Sequence, residues 1–147
     1  MTTLQQFQAE QDAKNTIALN VRKWCLMLID ALQDNYREYS IRGHQRYIAD
    51  GIDSHNYHKE QIEKLKNGDL PIYYTIETGK KYHKIVFHNL SGGTSVHCFV
   101  DKNTGEVYKS ASWKSPAKGV RFDMRSIENR NHMLEICDWS GGYLYAA

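Results

Sequence analysis

Neither glycine nor proline occurs in the first 42 residues, so nothing in that stretch breaks a helix once one has begun. Cysteine is scarce as well. Cys25, Cys98 and Cys137 each stand alone among apolar neighbours, with no CxxC pair and no even-numbered framework. That excludes a disulfide scaffold and fits reduced thiols in a cytosol. No run approaches the roughly 18 apolar residues of a membrane span, and Met1-Thr2-Thr3-Leu4 carries no basic stretch leading into an apolar one. Neither export nor membrane insertion is expected. Internal repeats, low-complexity tracts and linkers are also missing.

What is present is an ordinary globular composition. The chain has 147 residues, 41% hydrophobic and 24% charged, and a chain of that size buries about two-thirds of its unfolded surface. One domain over residues 1–147 is expected: a helical part at 1–70, a sheet at 71–113, and a loop, helix and aromatic tail at 114–147. The formal charge of +2 argues for no particular partner, but its distribution is uneven. Between residues 79 and 121, eight Lys and Arg face only Asp101 and Glu106, a local net of +6. That stretch could attract an anion.

Ile17, Val21, Trp24, Cys25, Leu28 and Leu32 recur by threes and fours, with Leu4 and Phe7 as a weaker earlier turn. This spacing predicts one long amphipathic helix, with Gly43 its first plausible stop. A second helix near 55–67 follows from Ser54 as N-cap, Ile62 and Leu65 on one face, and Gly68 past its end. Residues 43–53 read equally as a further turn of helix or a loop.

After Pro71 the pattern turns to β. Residues 72–76 and 82–88 flank Thr78-Gly79-Lys80 as a hairpin, and Ser91-Gly92-Gly93 breaks the chain again. Val96–Val100 and Val107–Trp113 then flank a five-residue connection, 101–105. Gly105 would take a positive φ there, and Asp101 and Asn103 would bond to the turn backbone. The expected fold class is α+β: a long N-terminal helix and a shorter second one packed on a four-stranded antiparallel sheet. A C-terminal helix from about Asp123 follows, with Ile127, Leu134 and Cys137 on one face and Met133 beside them.

Candidate chemistry is sparse. His55 and His58 have no third ligand at metal-binding spacing and no HExxH pattern exists, so no metal or other cofactor is expected. His97 and Cys98 are adjacent on a predicted strand, which would send their side chains to opposite faces and prevent them from acting as base and nucleophile. Cys98, alternating with Val96 and Val100, reads as a small core hydrophobe. Ser115-Pro116-Ala117-Lys118-Gly119 lacks the GxxxxGK[ST] pattern of a phosphate loop. No catalytic residue is identified. One constellation interleaves cations with rings: Tyr108, Lys109, Trp113, Lys114, Lys118 and Arg121, followed by Phe122. Such residues can pair with phosphates and stack on bases. They equally fit a solvated sheet face over core aromatics.

Two blocks carry a resemblance. The run from His97-Cys98-Phe99-Val100-Asp101-Lys102-Asn103-Thr104-Gly105-Glu106-Val107-Tyr108-Lys109 through Ser112-Trp113-Lys114-Ser115-Pro116-Ala117-Lys118-Gly119-Val120-Arg121 closely resembles a segment of uncharacterised small proteins of tailed bacteriophages. Asp138-Trp139-Ser140-Gly141-Gly142-Tyr143-Leu144-Tyr145 is similar to their ending. The resemblance covers residues 93–147. It implies a viral product acting in the cytoplasm of an infected bacterium, and brings no activity and no catalytic residues with it.

The functional expectation is therefore a non-enzymatic accessory protein that binds a macromolecule, nucleic acid or a host protein. The alternative is a structural protein forming homo-oligomers through Trp24, Leu28 and Leu32 of the first helix. The two blocks are further expected to meet in space, the loop 113–121 lying against the tail 139–145 with Trp113 as one wall.

Overall fold

The computed structural model describes residues 3–145. Helix α1 spans Leu4–Ala49, and Thr3 and Gln6 close a capping box at its start. At 46 residues it is about 69 Å long, and only its middle is buried. Val21, Cys25, Leu28, Ile29 and Leu32 form the stripe that packs on the sheet, each such aliphatic side chain contributing about 1.5–3 kcal/mol on full burial. Gly43 does not end the helix. A single glycine inside a long helix costs only about 1 kcal/mol, and the chain turns instead at Asp50 and Gly51, where φ is +75°.

A short 3₁₀ turn, Ser54–Asn56, precedes helix α2, Tyr57–Lys66. Ser54 does not cap α2: His55 and Asn56 adopt left-handed backbone between them, and Asn56 takes the N-cap position without a side-chain bond. Gly68 lies just past the helix end at φ +85°, as its position predicts. Ile62 and Leu65 are buried. His44 and His58 join the two helices through Nδ1 atoms 2.7 Å apart.

The sheet is an antiparallel meander of five strands, not four, in the order β1 (Ile72–Thr78), β2 (Tyr82–Asn89), β3 (Thr94–Asp101), β4 (Glu106–Lys109) and β5 (Phe122–Asp123). The turn before β4 forms largely as its residues dictate: Gly105 has φ +74°, and Asp101 Oδ1 accepts from the amides of Asn103 and Thr104, but the second side-chain bond to the backbone comes from Thr104 Oγ1, which accepts from the Glu106 amide, and not from Asn103. Strand β4 stops at Lys109 rather than reaching Trp113. The chain then loops out, pinned by a bridge between Ser110 and Pro116, and returns as β5 beside β4. Two residues are too short a run for alternation to reveal. Helix α3, Ile127–Ile136, follows with Ser126 as N-cap, so Asp123 belongs to the sheet and not to the helix. Met133 is fully buried, whereas Ile127 faces water.

A β-bulge overturns one expectation about β3. Ile85 pairs with Cys98, but the next residue, Val86, pairs with Val96, leaving His97 as the extra residue. A bulge breaks the two-residue alternation. His97 and Cys98 therefore both turn toward the helical side: Cys98 lies in the main core, and the His97 ring packs against Tyr74 and Tyr143. Val96, displaced by the same bulge, faces away with Val86, and neither belongs to that core.

Leu28 and Leu32 are completely buried within the chain, and Trp24 carries the Arg130 guanidinium 4.4 Å above its ring centroid. The surface named for oligomer contacts is thus occupied internally. No helix among the described residues is long and apolar enough to cross a membrane.

Candidate nucleic-acid interface

Helices cover one face of the sheet. The other face is set by the pairing register: Glu77, Lys84, Phe99 and Tyr108 stand in one row across β1 to β4. Tyr82 meets both Phe99 and Tyr108 edge to face, at 5.8 and 6.0 Å. Trp113, carried over this face by the loop after β4, lies with its ring centroid 4.8 Å from Lys84 Nζ, and Phe99 lies 5.8 Å from the same ammonium. Phe99 is buried beneath this cover, while Trp113 keeps 45% of its surface exposed.

A groove of about 350 Å³ opens here, lined by Lys80, Lys81, Lys84 and Lys114 together with Tyr82 and Phe99. Glu77, 3.9 Å from Lys84, is the one carboxylate in that lining. An ion pair so long and partly solvated is weak, so the groove keeps its positive character. Further along the same face, Tyr73 and His88 stack in parallel at 4.6 Å, and His88 Nε2 is 2.8 Å from Thr75 Oγ1.

Of the six residues that the sequence singles out, Tyr108, Trp113 and Lys114 fall on this face. The other three do not join them. Lys109 pairs with Cys98, so it points to the helical side, and its Nζ sits 4.6 Å above the Tyr145 ring. Arg121 is a clasp: its Nε donates to the Leu144 carbonyl at 2.7 Å, and its Nη1 donates to the carbonyls of Lys118 and Gly119. Lys118 is exposed on the loop. Lys80, Lys81, Lys84, Tyr82 and Phe99 were missed as site residues, although strand alternation from the 79–81 turn places Tyr82 and Lys84 on one face.

The tail docks on the helical side. Trp139 packs between Tyr36, Tyr39 and Phe87, and its backbone amide donates to Asn35 Oδ1 at 3.0 Å. His97 Nε2 is 2.7 Å from the Tyr143 hydroxyl. Burial pushes the His97 pKa down to about 4, against a smaller opposing pull from Asp138. Burial likewise raises Tyr143 well above the usual phenol range. Both groups are therefore neutral at pH 7. The loop 113–121 and the tail do meet, through Arg121 and Leu144. Trp113 is not a wall of that contact, since it lies on the opposite face of the sheet.

No curated protein and no solved structure matches the chain. Residues 4–146 match the model of a family described as a family of unknown function, DUF7717. That span takes in the long helix, every strand and the docked tail, far more than the two blocks between 93 and 147. The sequence of helix, meander and tail is thus matched over a single span, and the chain belongs to the DUF7717 family.

Proposed function

We propose that the uncovered face of the sheet binds single-stranded nucleic acid, as a non-enzymatic accessory function. The observation that carries this reading is the juxtaposition of Lys84 with Trp113 and Phe99 at a groove that Lys84 and Phe99 line together with three further lysines. Bases in a single strand expose their π-faces, and an aromatic platform among cations holds them without reading their sequence. A duplex keeps its bases stacked on one another, so it would meet only the lysines. The resemblance of the 97–121 and 138–145 blocks to proteins of tailed bacteriophages supports a further part of this reading, that the activity is exercised in an infected bacterial cytoplasm.

The test is fluorescence anisotropy with labelled single-stranded oligonucleotides of ~12 nucleotides and a duplex of equal length, at ~50 mM salt. Tighter binding of the single strand is the expected outcome. Four phosphate contacts at about 0.7 counterions each predict a log–log salt slope near −3. Absence of binding at low salt, with the protein eluting as an oligomer in sizing chromatography, would favour the structural reading. In that case the contacts would come from Leu4 and Phe7, which are exposed in the first turns of α1.

A further inference from the structure

On the helical side of the sheet, where α1 passes the β1–β2 and β3–β4 turns, lies a cavity of about 550 Å³. Its size is that of a small-molecule site. Its charged lining has one sign: Arg22 from α1 and Lys102 from the β3–β4 turn, with His83 from β2 between them and no carboxylate. Neither Arg22 nor Lys102 makes an ion pair among the described residues. Like charges gathered without a counter-ion repel one another, and a ligand of opposite charge removes that cost.

His83 supplies the second observation. Its side chain is only 4% exposed, and its Nδ1 is bonded to Thr78 Oγ1 at 2.9 Å. Its Nε2 has no partner among the described residues. The residue lines the cavity, and this nitrogen is a hydrogen-bonding position that no side chain uses. Burial first, then the charges of Arg22 and Lys102, hold the His83 pKa below its ordinary value. Asn15 and Asn103 add amides to the lining, and Leu19, 70% exposed, offers an apolar wall.

We propose that this cavity binds a phosphate monoester, with Arg22 and Lys102 pairing with the phosphate oxygens, His83 Nε2 donating to it, and Leu19 covering the organic part. A guanidinium fork, a point ammonium and a neutral donor are the groups that recognise such a dianion. The site goes beyond the nucleic-acid reading. It lies on the other face of the sheet and shares only Thr78 with the lysine groove.

The experiment follows the His83 imidazole resonance by NMR, assigned with His83→Gln, during titration with inorganic phosphate and with a nucleoside 5′-monophosphate. A pair of identical oligonucleotides with and without a 5′-phosphate is titrated in parallel. A saturable shift with the free monoester identifies a small metabolite, and a shift found only with the 5′-phosphorylated strand identifies a strand end. Either supports the site. Binding should raise the His83 pKa, because the ligand brings negative charge beside it. Arg22→Gln and Lys102→Gln should each weaken binding about tenfold, and circular dichroism should report unchanged helix content. Trp113→Ala should leave the response to the monophosphate intact, so the two sites can fail separately. No saturable shift with any of the phosphates, or an affinity untouched by Arg22→Gln, would overturn the proposal.

Discussion

The imidazole of His97 and the hydroxyl of Tyr143, 46 residues apart in the chain, lie 2.7 Å from each other in the interior. The bond forms because a bulge turns His97 inward and the tail returns across the sheet. Burial, not the bond, is what keeps the imidazole neutral. The folded pKa near 4 lies below the unfolded value near 6.5, so at acid pH the unfolded chain takes up a proton that the folded one refuses. Stability is then fully present above pH 6.5 and is lost progressively as pH falls toward 4, by about 3 kcal/mol. Denaturant titrations across that range should show the loss, and His97→Gln should flatten its share of the slope.

Trp139 should matter more to stability than Lys114. Its ring packs against Tyr36, Tyr39 and Phe87, whereas Lys114 is exposed on a loop. Large-to-small changes at packed aromatics cost about 3–5 kcal/mol when burial is complete, and exposed lysines stay within about 0.5. With Trp139 half-buried, Trp139→Ala should cost about 2 kcal/mol or more. Equal melting temperatures for Trp139→Ala and Lys114→Ala would contradict this placement of the tail.

Arg121 should be irreplaceable by lysine. Its planar fork donates at once to Leu144, Lys118 and Gly119 carbonyls, a geometry that a point ammonium does not reproduce. Arg121→Lys and Arg121→Ala should both speed hydrogen exchange at 142–145 while leaving β1 and β2 protected. The expected loss is about 1.5–3 kcal/mol, the range for hydrogen bonds to a charged group.

On the uncovered face, Trp113→Ala should weaken single-strand binding by about 1–3 kcal/mol, the usual worth of one stacked base. Lys84→Gln should instead lower the salt dependence by about one counterion. Lys109→Gln, on the other side of the sheet, should do neither.

The thiols should be silent in the folded protein. Burial pushes Cys25 up to about 12 and Cys137 up to about 11, and raises Cys98 well above its ordinary value. Thiolate, not thiol, is the reactive form. A thiol-reactive disulfide reagent should therefore find none of the three at pH 8 until denaturant is added.

The elements themselves were legible in the residues. Threefold and fourfold spacing marks α1, Gly68 ends α2, and Gly105 with Asp101 makes the turn between β3 and β4, because helix periodicity, positive φ and side-chain caps are properties of a few neighbouring residues. Strand β5 was not legible, since two residues at Phe122–Asp123 become a strand only through the bonds that β4 offers them. The bulge at His97 was hidden for the same reason: its register is set between two strands and is not written in either one. The lysines of residues 79–121 likewise read as a single basic stretch. Which of them share a face depends on pairing and on loop path, so the fold gives Lys84 and Lys114 to the groove, Lys109 to Tyr145, and Arg121 to the tail. Local chemistry determined the pieces of this protein, and contacts between residues distant in the chain decided which side chains meet.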